Sequence, residues 1–168
     1  VGDFAAPKEY TPESRREAIA VLGALPAKLG AAASGLNDAQ LETPYRDGGW
    51  TLRQVVHHVA DSHMNAYIRW RFAMTETEPT IKPYNEADWA KLDDAQHAPV
   101  EVSLQLLDAL HQRWVRVAQS MKPEDFARTW IHPDHKGVRT LDWMLALYAW
   151  HSRHHTAHIT ELRKQKGW

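Results

Sequence analysis

Four histidines, His151, His154, His155 and His158, fall within eight residues on a segment otherwise built to be buried. Met144, Leu147, Tyr148, Ile159 and Leu162 recur around them at helical spacing, and residues four apart on a helix share a face. Taking about 100° per residue with His151 at zero, His155 falls at about 40°, His158 at about −20° and His154 at about −60°. The apolar residues centre between His151 and His155, so this pair points deepest into the protein. Imidazoles on a buried face need partners. The bland reading gives them backbone or carboxylate partners, or leaves them on the helix surface; the sharper one is a metal site, since histidines at i and i+4 can chelate one ion.

The rest of the chain repeats long helical patterns between Pro, Gly and Asp punctuation. Thr11 with Pro12 reads as an N-cap opening a helix through Ile19, Leu22 and Leu25, which Pro26 is expected to kink or break before helix resumes from Leu29 to about Ala33. Thr51 with Gln54 is a capping-box signature for a second helix reaching roughly Met74. Leu104, Leu107, Leu110, Trp114 and Val117 mark a third, and Thr140 caps a fourth ending near Gly167. Residues 79–99 form a long connection with a short amphipathic piece near Trp89 and Leu92. Trp130 to Gly137 reads as irregular or hairpin-like. The expected fold is all-α, a single-domain four-helix bundle over residues 1–168 with short extra helices and an irregular connection before the last helix. Bundle sites are built from facing helices, so the last helix should meet a ligand from another.

The 168 residues suffice for one core, and 20 Lys and Arg against 21 Asp and Glu give no general attraction for nucleic acid or an anionic membrane. No apolar run approaches a membrane span and the first residues lack signal-peptide features, so a cytoplasmic location is expected. The absence of cysteine excludes disulfides, thiolate ligands and a cysteine nucleophile. No Gly-x-Ser-x-Gly elbow supports serine catalysis.

A second cluster, His57, His58 and His63, lies on the helix after Thr51. Val55, Val59, Leu52, Ala66 and Trp70 define a face on which His63 is central and His58 lies to one side, in line with Ser62, Asn65 and Arg69. Pattern alone leaves His58 and His63 even, with His57 a surface or supporting residue. Three histidines from two helices would leave coordination positions for water or substrate, as catalytic metal sites do. A divalent cation there would lower the pKa of a bound water or thiol. An all-imidazole set suits Zn or Ni, with Fe and Co also admissible. Di-iron chemistry is disfavoured because the Glu-x-x-His pattern is missing.

The run Thr43-Pro44-Tyr45-Arg46-Asp47-Gly48-Gly49-Trp50-Thr51 continues through Arg53-Gln54-Val55-Val56-His57-His58-Val59-Ala60-Asp61-Ser62-His63. With Ile81-Lys82-Pro83-Tyr84 and Trp150 to Ile159, it resembles the YfiT branch of the DinB-like proteins, over nearly the whole chain. The resemblance implies a four-helix bundle whose metal is held by one histidine of the second long helix and an i, i+4 pair of the last, which map to His58, His151 and His155. It also implies a metal-dependent hydrolase acting on a small molecule. Relatives that join a low-molecular-weight thiol such as bacillithiol to an electrophile imply the alternative of an S-transferase. Nickel or zinc and a homodimer are implied in the same way. A non-catalytic metal-binding stress-response protein is the third reading.

Asp61, one turn from His58, could accept its free imidazole N–H, though a solvated Asp is the plainer reading. His154 and His158 are candidates for orienting the site or acting as acid and base, and with Asp61 they form the catalytic set. His63 is a candidate pocket wall. Arg46 and Asp47 could reach an anionic substrate or simply hold a turn. Trp50, Trp70, Trp143 and Trp150 could line a pocket, but large residues at helical spacing are more often core. Asp134 and His135 carry little signal.

Overall fold

The computed structural model describes residues 2–134 and 137–168. Four long helices make the bundle: α1 (Pro12–Ala33), α3 (Leu52–Thr75), α6 (Val100–Ser120) and α7 (Leu141–Lys166). Short helices α2 (Asp38–Leu41), α4 (Glu86–Trp89) and α5 (Asp93–His97) decorate the connections. A 3-10 turn (Pro123–Ala127) leads into an antiparallel pair, β1 (Thr129–Ile131) and β2 (Val138–Thr140), with Trp130 opposite Arg139. α1 packs on α6 and α7, and α3 packs on the same two, so α1 and α3 lie on opposite sides of the α6–α7 pair.

The helix starts follow the local chemistry. The Thr11, Thr51 and Thr140 hydroxyls accept from the backbone N–H groups of Ser14, Gln54 and Trp143, satisfying donors that have no intrahelical partner. Gly167 ends α7 at φ 70°, a left-handed position that favours glycine. Pro26 does not break α1, which runs through it without interruption. A proline inside a helix leaves the carbonyl four residues earlier without its N–H donor. Here that carbonyl, on Leu22, accepts instead from His111 Nδ1 of α6 at 2.7 Å.

The core falls into two apolar clusters. One gathers Leu22, Trp70, Trp114, Leu141, Met144 and Leu145; the other gathers Leu25, Leu29, Leu52, Val59, Leu107, Ile159 and Leu162. Along α3, α6 and α7 the histidines His63, His111, His151 and His155 occupy the turns between these clusters. A layer of imidazoles therefore crosses the bundle between two apolar cores.

Arg15 of α1 grips Asp142 in the first turn of α7 with two hydrogen bonds of 2.7 Å, and the Asp142 side chain is only 8% exposed. Removing one partner of such a pair strands the other charge. Asp142→Ala should lower unfolding free energy by roughly 3 kcal/mol in urea titrations at pH 7, with the pair's contribution checked by a double-mutant cycle with Arg15→Met.

Candidate metal centre

The site is set by two helices and one loop. His58 projects from the second turn of α3, and His151 and His155 from successive turns of α7, so their spacing follows from the helix repeat. The ring centroids of His151 and His155 are 4.3 Å apart, and those of His58 and His155 4.8 Å. His58 Nε2 and His151 Nε2 face each other at 3.3 Å. One nitrogen from each of the three rings lies within 4.8 Å of the other two. His58 and His155 are buried, and His151 is partly exposed where it borders a cavity.

The residues fit a cation. Two nitrogens each about 2.1 Å from a tetrahedral ion stand about 3.4 Å apart, close to the His58–His151 separation. His155 Nδ1 is a buried polar atom with no hydrogen-bond partner. Burial away from carboxylates holds all three imidazoles below the ordinary histidine range, His58 at about 4 and His151 and His155 well below that range, with neighbouring imidazoles adding to the effect. Such rings are neutral at pH 7, and neutral imidazole is the ligand form.

The loop from Pro44 to Thr51 closes over one side. A β-bridge joins its ends, Tyr45 N–H donates to the Trp50 carbonyl at 3.1 Å, and Gly48 sits at φ 67°. A Cβ on Gly49 would stand 2.8 Å from the Arg46 Cγ and 3.0 Å from the Tyr45 ring, so the turn needs glycine there. The loop thereby delivers Trp50 to the His58 ring, centroids 4.6 Å apart, and stacks Tyr45 on His158 at 4.0 Å.

On the other side a cavity of about 590 Å³ reaches His151. Trp130, Trp143, Tyr84 and Tyr148 supply aromatic walls, and Arg69, Arg139 and Glu86 supply charge. No helix of the described residues is long and apolar enough to cross a membrane.

The remaining candidates separate clearly. His158 packs 5.1 Å from His155 and its Nδ1 is buried without a hydrogen bond; desolvation first, then the charges of His154 and Arg46, brings its pKa to about 4. His154 stacks on Trp150 at 4.4 Å and contacts His158. The carboxylate of Asp61 makes no hydrogen bond to His58 among the described residues; burial, with Asp94 adding repulsion, raises its pKa to about 6. His63 is not a pocket wall: it is fully buried, between His111 and His151. His57 is not on the surface either. It is buried, its Nδ1 bonded to Ser103 Oγ at 2.7 Å and its Nε2 to the Ala98 carbonyl at 3.1 Å, tying α3 to α6. Arg46 lies over the Tyr45 ring and forms no pair with Asp47. Asp134 borders the cavity, while His135 lies outside the described residues.

His111 was not singled out by sequence, although it sits one residue after Leu110 on the apolar stripe of α6. A polar residue at a stripe position between Leu107 and Trp114 was the available signal.

Comparison with known proteins decides the family. The profile of the DinB superfamily matches residues 9–159. The chain belongs to the DinB superfamily. Relatives within it include proteins from Geobacillus thermodenitrificans, 50% identical over all 168 residues and 94% of its own length, and Bacillus subtilis YfiT, 48% identical over the whole chain and 94% of its length. Both carry the name "Putative metal-dependent hydrolase". The solved structure of YfiT, described as "a probable metal-dependent hydrolase with an unusual four-helix bundle topology", superposes with a TM-score of 0.97 over 100% of this chain and 96% of that one. A second solved four-helix bundle, 23% identical with a TM-score of 0.58 over 92% of this chain and 99% of its own, shares the fold. The expected four-helix bundle of this superfamily is thus what the chain adopts.

Proposed function

We propose that the protein is a metal-dependent hydrolase of a small molecule, with one divalent cation, Zn or Ni, on His58, His151 and His155. The observation that carries this reading is the convergence of three neutral ring nitrogens within 4.8 Å beside a cavity that reaches His151. When bound, a divalent cation held by three imidazoles supplies a Lewis acid that brings the pKa of water toward 7. The names borne by the superfamily relatives support hydrolysis as the reaction.

The chain's own residues do the rest. The aromatic walls and Arg69 hold and orient the substrate in the cavity, and Trp50 and Tyr45 exclude water from the opposite side. Asp61, with a carboxyl lifted to about 6, is assigned to proton transfer, since a group titrating near neutrality can both take and return a proton. His158 and His154, stacked on Tyr45 and Trp150, are assigned to orienting the site from its rim.

A second reading, transfer of a low-molecular-weight thiol to an electrophile, is favoured by the combination of an accessible three-ligand site with a chain that contains no cysteine, so that any thiol must arrive as substrate. The metal-loaded protein should cleave an activated ester such as a p-nitrophenyl ester, with at least about a hundredfold loss on chelation. Conjugation of a small thiol to monobromobimane without ester cleavage would replace the first reading by the second. Neither activity across a panel of both substrate types would overturn catalysis in favour of a metal-binding role.

A further inference from the structure

The imidazole layer between the two cores is a chain of contacts with a defined order. It starts at the Leu22 carbonyl, left without a helical donor by Pro26. His111 Nδ1 stands 2.7 Å from that oxygen, and His111 Nε2 stands 3.0 Å from His63 Nδ1. His63 Nε2 then stands 3.1 Å from His151 Nδ1. The last ring presents its Nε2 to His58 and the metal cluster.

A carbonyl oxygen can only accept, so His111 Nδ1 must carry a hydrogen. A neutral imidazole has one N–H and one lone pair. His111 Nε2 is therefore an acceptor, which requires the hydrogen of His63 on Nδ1, leaves His63 Nε2 an acceptor, and requires the hydrogen of His151 on Nδ1. The order has one consequence at its far end: His151 Nε2 is a bare lone pair. Reversing any one ring would set two hydrogens or two lone pairs against each other in a site where His63 is 0% and His111 1% exposed. An unmade bond of that kind costs about 1–3 kcal/mol.

We propose that His63 and His111 are positioning residues that fix the tautomer and ring orientation of His151, so that its Nε2 is pre-set as a metal ligand, and that the Leu22 carbonyl freed by Pro26 sets the direction. Metal-bound histidines commonly donate their second N–H to a backbone carbonyl or carboxylate. Here two imidazoles carry the constraint of a carbonyl from α1 across α6 and α3 to α7. The inference rests on the reading of His151 as a metal ligand and adds what orients it.

The test uses ¹⁵N-detected imidazole spectra and competitive Zn(II) titration of the full chain. In the metal-free wild type, His111, His63 and His151 should each show a protonated Nδ1 and an unprotonated Nε2. His111→Phe should bind Zn(II) about 10–100-fold more weakly than wild type. His111→Gln, whose amide can donate to Leu22 and accept from His63, should recover most of that loss. Nε2-protonated His151 in the wild type, or wild-type affinity in a folded His111→Phe, would overturn the proposal. If His111→Phe fails to fold, the wild-type spectra still decide it. Absence of Zn(II) binding by the wild type would instead remove the metal reading beneath it, a distinct result.

Discussion

His155→Leu should lower affinity for a divalent cation by at least about a hundredfold, the upper end of what even a partner outside the coordination sphere costs. The same change should leave the metal-free protein at least as stable as wild type at pH 5.5. Leucine removes both ring nitrogens while filling similar space beside the apolar cluster that holds Ile159 and Leu162. The wild-type ring is 9% exposed, its Nδ1 has no hydrogen bond, and it is held neutral by burial, so the metal-free fold carries an unsatisfied polar group there. A ligand that binds only the folded state at a hundred times its dissociation constant stabilises by about 2.7 kcal/mol. The wild type should therefore show a metal-dependent rise in unfolding temperature that His155→Leu lacks. Differential scanning calorimetry with and without Zn(II) checks both halves; a retained metal shift in the variant would remove His155 from the ligand set.

Acid should destabilise the metal-free protein steeply between pH 7 and pH 5. Folding depresses the pKa of His58 and His111 to about 4, through burial first, and holds His63 and His155 well below the ordinary value in the same way. A group whose folded pKa lies below its unfolded value of about 6.5 contributes stability above that value and loses it as pH falls toward the folded pKa. At pH 5 the linkage amounts to about 2 kcal/mol each for His58 and His111. His63 and His155 act in the same direction. A typical domain has about 5–15 kcal/mol in total, so the effect is a large share of it. Asp61 works the other way: its raised pKa favours the protonated form in the fold, giving stability that declines as pH rises through about 4 to 6. The several histidines outweigh this one carboxyl. Urea midpoints at pH 7, 6 and 5 in the presence of a chelator should fall monotonically, and a flat or rising series would contradict the burial of these rings.

The helix ends were legible because they depend on neighbours in sequence: Thr11, Thr51, Thr140 and Gly167 each act within four residues. The His151–His155 pair was legible for the same reason, since one helix repeat fixes its geometry. His58 and His63 could not be ranked from pattern, because both are buried and only the rings facing them from α6 and α7 tell them apart. The family resemblance pointed to His58, and the structure brings His58 together with His151 and His155. Pro26 reads locally as a breaker; the donor that accommodates its freed carbonyl comes from His111, 89 residues away in sequence. His57, taken for a surface or supporting residue, is buried because Ser103 and Ala98 meet both its nitrogens. Of the two readings open for Asp61, the bond to His58 does not form, since sharing a helix side within one turn does not bring a short carboxylate to a ring that turns toward α7.

The most direct test is anomalous diffraction from crystals grown with Zn(II), measured on both sides of the metal edge. The account predicts one principal peak bonded to nitrogens of His58, His151 and His155 at about 2.0–2.1 Å, with a further position held by solvent or another non-protein ligand. A peak on other residues, a fourth protein ligand closing the site, or no peak among these three histidines would contradict it.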